Sequence, residues 1–233
     1  MSIETHRVVI GACGWKHPAW LNDFYAEDLP EDWLLGFYSN EFTVVYVPAN
    51  DWVNEITLAD WAEDITESFR FVLELSALNF TDNERLTMLL DKASELGKHC
   101  LGFVLVPGEE FFMTADQFQS RAEIIQKIAP LCVDTANANL SAEIKTFLLQ
   151  HNICEVWNGS FADTGINPGS NLKRGPLAIS RVSTKNLTAL QLRKVLEVCL
   201  EASTEECTSV LCFDGHPPSV ETMRNADIIL NLL

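Results

Sequence analysis

Four charged residues stand inside or just beyond otherwise apolar runs. They are Glu74 in Phe69–Leu75, Asp134 in Leu131–Ala136, Arg181 in Leu177–Val182 and Asp214 after Ser209–Phe213. A charge buried without a partner is costly, so these residues must meet one another or a ligand. Arg181 is the natural countercharge to the carboxylates. Two readings follow and both stand. One is a polar cluster that binds a small ligand through an arginine fork, with Asp134, Glu74 and Asp214 available for acid–base work. The other is a structural ion-pair network. Asp214-Gly215-His216 sets an imidazole beside a carboxylate, a pair suited to proton transfer near neutral pH. The same triplet also reads as a turn after a strand, followed by Pro217-Pro218. Cys13 lies between Gly11 and Gly14 with His17 four residues on. It is either a nucleophile or simply a small side chain at a tight turn.

The elements that would position these residues are legible as a repeat. Apolar or β-branched runs recur at Val8–Cys13, Thr43–Ala49, Phe69–Leu75, Leu101–Pro107, Leu131–Ala136, Ile153–Trp157, Leu177–Val182 and Ser209–Phe213. Helix-period segments separate them: Leu86, Leu89, Leu90, Ala93 and Leu96 form one apolar stripe. Phe118, Ala122, Ile125 and Ala129 form a second, Leu192, Val195, Leu196 and Cys199 a third, and Val220, Met223, Ala226, Leu230 and Leu233 a last. Thr81 to Glu84 and Thr114 to Gln117 read as capping boxes. Eight strands alternating with helices over 233 residues predict one α/β domain spanning 1–233, a (β/α)8 TIM barrel. The sixth helix breaks the pattern. Residues 158–175 are polar and glycine-containing, and are expected to replace that helix by a long loop opening on an Asn158-Gly159 type I′ turn.

In such barrels the site lies at the C-terminal ends of the strands. That rule makes Asp134, Glu74, Asp214 and His216 the expected catalytic set. Arg181, Trp15, Lys16, His17, Asp51, Trp52 and Asn137 are the expected substrate contacts. Trp15, Trp52 and Trp157 would either wall a pocket or pack beneath the loops. The first βα turn, Gly11-Ala12-Cys13-Gly14-Trp15, puts an indole where a dinucleotide phosphate would have to approach, so a dinucleotide site is not expected. No other cofactor motif stands out, and the cofactor is unassigned. The five histidines show no His-x-His or His-x-x-x-His spacing, so no metal site is assigned.

Composition narrows the classes of partner. A net charge of −17 repels phosphate backbones and anionic lipids, and argues against nucleic acid and against a membrane surface. No run approaches the roughly 18 apolar residues a membrane span needs, and Met1 to Val9 lacks a signal-type apolar core. Seven cysteines, an odd number without a Cys-x-x-Cys pair, fit reduced thiols in a cytoplasmic protein. A small-molecule ligand is the expected partner, with a protein partner or a homo-oligomer also compatible.

The opening fifty residues resemble the YecE-like family, a family of unknown function with a TIM-barrel fold. Its opening phrase is matched by Gly11, Cys13, Gly14, Trp15, Trp20, Phe24 and Tyr25, then by Leu29-Pro30, Phe42, Val44 and Val45. Trp61, Phe69, Phe71, Leu96-Gly97, Phe213 and Asn225-Ala226 extend the likeness over nearly the whole chain. The resemblance implies a barrel, but the family's polar strand ends are mostly replaced. Tyr46, Pro48, Asp51 and Trp52 stand where the family carries Glu, Asn and an aromatic pair, and Glu74 stands where it carries Lys. Asp134 to Asn137 replaces Glu-x-Arg-His, Ser183 replaces a histidine after the retained Arg181, and Asp214-Gly215 replaces Asn-Asn. A polar site inherited from the family would thus be rebuilt here. Nothing in the sequence chooses among hydrolysis, isomerisation and lyase chemistry, and a barrel that only binds a metabolite or protein fits equally well.

Overall fold

The computed structural model describes residues 8–159, 175–185 and 187–233. All strands are parallel and form one sheet in the order β6-β5-β4-β3-β2-β1-β9-β8-β7. They are β1 Val8–Cys13, β2 Val44–Val47, β3 Arg70–Ser76, β4 Cys100–Val106, β5 Leu131–Val133, β6 Cys154–Glu155, β7 Trp157–Asn158, β8 Leu177–Ser183 and β9 Thr208–Asp214. Only Val156 separates β6 from β7. Cys132 and Val133 of β5 pair with Cys154 and Glu155, whereas Ser180 and Arg181 of β8 pair with Trp157 and Asn158. One short segment therefore joins both edges of the sheet, and the eight expected runs become the eight staves of a TIM-like barrel.

The outer layer comprises α1 Leu34–Glu41, α2 Ala49–Trp52, α3 Ala59–Glu63, α4 Ala77–Thr81, α5 Asn83–Ser94, α6 Ala115–Gln126, α7 Ala142–Gln150, α8 Ala189–Ala202 and α9 Val220–Leu230. Leu86, Leu89, Leu90 and Ala93 of α5 are buried as predicted, as are Phe118, Ala122 and Ile125 of α6, whereas the last stripe holds at Val220, Met223 and Ala226 but not at Leu233, which lies beyond α9 and is exposed. The Thr114–Gln117 capping box forms. The Thr81 box does not. Thr81 ends α4, and Asp82, in extended backbone, caps α5 by accepting from Arg85 N. The predicted Asn158-Gly159 turn is also absent, because Asn158 stays in the ladder opposite Arg181 and Gly159 N donates to Arg181 O at 3.0 Å. Most of the loop expected in place of the sixth helix lies outside the described residues.

Between β1 and α1, an aromatic cluster of Trp20, Phe24, Tyr25 and Tyr38 seals the first unit. Tyr38 also does a backbone's work. Its hydroxyl accepts from Ala12 N at 2.7 Å and donates to Val44 O at 3.0 Å, bridging β1 to β2 in the buried core. Tyr38→Phe would leave a buried donor and a buried acceptor unpaired. We expect it to cost about 1–3 kcal/mol, read as a lower urea midpoint at unchanged slope.

Side chains two residues apart on a strand share a face, and two packed groups result. Ala12, Val45, Val47, Phe71, Leu73, Phe103, Leu105, Val133, Leu211 and Phe213 pack outward against the helices. Val44, Tyr46, Val72, Val104, Cys132, Cys154, Val156, Ile179, Val210 and Cys212 fill the barrel. Glu74, Asp134, Asn158, Arg181 and Asp214 continue this inner face toward the C-terminal ends. The barrel interior is thus a largely apolar plug topped by a polar layer.

Candidate functional site

The polar layer is one connected network. Asp134 is buried at 5% exposure and takes three donors: Arg181 Nη2 at 3.1 Å on Oδ2, with Asn158 Nδ2 at 2.8 Å and Ala136 N at 3.1 Å on Oδ1. Arg181 Nη1 reaches the Tyr46 hydroxyl at 3.5 Å, and its guanidinium lies 5.7 Å from the Tyr46 ring centre. The Tyr46 hydroxyl in turn donates to Glu74 Oε2 at 2.6 Å. Among the described residues Glu74 Oε1 has only Ala49 N, at 3.5 Å, and Glu74 O accepts from Trp52 Nε1 at 2.8 Å. Asp214 Oδ1 accepts from Gly215 N at 2.7 Å.

The electrostatics follow from this packing. Burial opposes the charge on Arg181, but Tyr46, Asp134, Cys13 and Asp214 outweigh it and hold the guanidinium protonated. Burial, and then the adjacent Glu74, push the Tyr46 phenol well above its ordinary value, so it remains a proton donor. Burial likewise raises the Cys13 thiol, aided by Cys212 and Asp214. A thiol held protonated in this way is a poor nucleophile, which favours the small-side-chain reading of Cys13.

A second group lies on the rim, where the loops after β1, β2 and β9 converge. His17 Nε2 donates to Cys13 O at 2.9 Å and packs edge-on against Trp20, with ring centres 4.4 Å apart. Trp20 Nε1 donates to Pro218 O at 3.0 Å, tying the first loop to the last. Asp51 and His216 both act electrostatically on His17, and Lys16 on Asp51. Burial lowers the His17 pKa below the usual 6.5, against backbone contacts that raise it. A group that is easier to deprotonate in the fold gives stability that is present above pH 6.5 and lost as pH falls through its lower folded value. We therefore expect the acid limb of a stability–pH curve to flatten in His17→Gln, measured by denaturant melts between pH 5 and about 7.5.

The expected residues divide accordingly. Glu74, Asp134, Arg181 and Asp214 meet at the barrel mouth, and Lys16, His17, Asp51 and His216 stand on the rim. Lys16 leans outward to Glu31 at 3.5 Å, over the Trp15 ring. Asn137 does not join them, because it is exposed on the turn beyond Ala136. Trp15 and Trp52 do not present faces to a ligand. Trp15 is 3% exposed and packs on Trp61, while Trp52 is fully buried and acts through its hydrogen bond to Glu74 O. Tyr46, the hub of the network, was not among the expected site residues. Its alternation with Val44 puts it on the inner face, opposite Cys13, but nothing in the sequence gives its hydroxyl partners. Among the described residues no group of His, Cys, Asp or Glu has the geometry to hold a metal ion. No helix among them is long and apolar enough to cross a membrane.

Fold and mouth together define a parallel α/β barrel with a polar, arginine-centred opening. The chain belongs to the family described as protein of unknown function DUF72, whose model matches residues 9–150. A solved DUF72 family protein from Thermotoga maritima MSB8 superposes with a TM-score of 0.59 at 14% identity, covering 97% of this chain and 99% of that one. Two further structures are a sialic acid aldolase from Ruminococcus gnavus and an N-acetylneuraminate lyase from Mycoplasma synoviae. Both are 9% identical with TM-scores of 0.47, and they cover 89% and 98% of this chain and 67% and 73% of their own. No curated protein matches the chain.

Proposed function

We propose that this chain binds, and chemically transforms, a small polar metabolite at the C-terminal mouth of the barrel. The supporting observation is that Glu74, Tyr46, Arg181 and Asp134 form a fixed wall beside Asp214, a carboxylate with one oxygen engaged by a single backbone amide. Asp214 is the group we assign to contact the ligand and to take or give its proton. His216 and His17 are the rim groups closest to that role, with Lys16 and Asp51 beside them. The first test is a thermal-shift screen of wild type against divalent metals and phosphorylated, carboxylated, amine-bearing and hydroxylated metabolites. A compound at a hundred times its Kd should stabilise by about 2.7 kcal/mol, and Asp214→Asn should remove that shift. A screen with no hit, or hits untouched by Asp214→Asn, sinks the reading.

A second reading is a barrel that binds a metabolite or a protein without catalysis. It is favoured by the way Asp134, Arg181 and Tyr46 satisfy one another and by the protonated Cys13 thiol. Turnover assays on any ligand found by the screen separate the two. Within DUF72, we place the chain with the YecE-like proteins on its opening glycine and aromatic phrase. We also place it in the cytoplasm, a reading supported by its seven cysteines, none of them in a disulfide.

A further inference from the structure

The hydrogen-bonding capacity left open at the mouth shows what chemistry would fit there. Asp134 is filled by Asn158, Ala136 and Arg181. The Tyr46 hydroxyl accepts from Arg181 and donates to Glu74. Arg181, the residue that would fork onto an anion, is turned inward onto Asp134 and Tyr46. Two acceptor atoms remain open. Among the described residues no donor reaches Asp214 Oδ2, and Glu74 Oε1 has only the 3.5 Å contact from Ala49 N. Both atoms are acceptors on partly open residues. Around them, the three carboxylates of Glu74, Asp134 and Asp214 face the single guanidinium of Arg181, leaving the layer formally negative. Lys16, a cation on the rim, is drawn away to Glu31. The net charge of −17 adds a long-range field that concentrates cations and repels anions.

We propose that the ligand of the mouth is a small organic cation bearing a primary ammonium group, which donates to Asp214 Oδ2 and Glu74 Oε1. This rests on the mouth being the site proposed above, and it replaces the arginine-fork, anion-binding chemistry that the sequence suggests. An ammonium has three donors and no acceptor, so it complements the open carboxylate oxygens, and the formal negative charge of the layer favours it over an anion.

The test uses three four-carbon probes that differ only in their end groups: 1,4-diaminobutane, 1,4-butanediol and succinate. Binding is measured by isothermal calorimetry at low ionic strength on the full chain. We expect the diamine to bind and the diol and succinate to be silent. Asp214→Asn and Glu74→Gln should each weaken the diamine roughly tenfold or more, the scale of a hydrogen bond to a charged group. Glu84→Gln, which removes one charge from the exposed face of α5, should leave binding unchanged. Thermal melts show whether each variant is folded, and Asp214→Asn carries the result if Glu74→Gln is not. Succinate or diol binding that Asp214→Asn alters would overturn the ammonium assignment and leave the mouth as the site. Diamine binding equal in wild type, Asp214→Asn and Glu74→Gln would mean attraction to the acidic surface alone and would also overturn it. Silence from all three probes counts against the ammonium assignment, and only an empty metabolite screen as well would remove the mouth itself.

Discussion

Arg181→Leu is expected to destabilise the fold by about 3 kcal/mol, because it strands the Asp134 carboxylate without its cation. Removing one partner of a buried pair costs more than the pair contributes, since the remaining charge keeps its desolvation penalty. The loss falls at the low end of the usual range because the Arg181 side chain keeps 25% of its surface open. Asn158 Nδ2 and Ala136 N still donate to Asp134, which softens the loss without neutralising the charge. The double variant gives the sharper expectation. Arg181→Leu with Asp134→Asn should recover at least half of the lost stability, because the isosteric amide keeps the shape and removes the charge. Chemical denaturation of the four chains of the cycle measures this directly. Simple additivity of the two single effects would mean that the stranded charge is not what destabilises Arg181→Leu.

Gly11→Ala should be worse still, at about 4 kcal/mol or more, and poorly soluble expression is a compatible result. A Cβ at Gly11 would lie 1.8 Å from Val44 O and 2.7 Å from Val44 C. Those are backbone atoms of the neighbouring strand, so no side-chain rotation relieves the overlap. The two strands would have to part where Tyr38 already bridges them. Gly108→Ala is the matched control. Gly108 has a φ of +73° but nothing within 4 Å of an added Cβ, so only its backbone preference is offended. That should cost roughly 1 kcal/mol. Equal losses at the two positions would show that the close approach of β1 to β2 does not make Gly11 more demanding than Gly108.

The barrel was legible in the sequence because parallel strands covered by helices must be apolar on both faces. Val8–Cys13 could thus be read from composition alone, and so could the run Leu131–Ala136, of which Leu131–Val133 forms the strand. Glu74, Asp134, Arg181 and Asp214 were legible for the complementary reason, since a charge in such a run needs an explanation. Tyr46 was not, because a tyrosine in a strand looks like any other large apolar residue until its hydroxyl partners are known. Asn137, just past a strand end, lies on the turn at Ala136 and is exposed, a placement the sequence does not show. Lys16 and Glu31 likewise pair through a fold-dependent approach of residues fifteen apart. The change of partner at Val156 is invisible in sequence as well, because Ile153–Trp157 reads as one uniform run, whichever neighbours it finds.

That change of partner makes the barrel a hoop with a clasp. Elsewhere strands are joined along four to seven registered positions on the β2–β3, β3–β4, β1–β9 and β8–β9 edges, but the clasp holds by two on each side. Asp134 follows β5 on one side, Arg181 belongs to β8 on the other, and Asn158 sits on the clasp itself and bonds Asp134. The polar layer at the mouth is therefore also the pin that keeps the hoop shut. The amides of Val156 and Gly159, which donate across the two halves to Val133 and Arg181, should exchange with solvent well before those of β9. A ligand that tightens the mouth should slow them, so occupancy of the site can be read in the closure of the whole barrel.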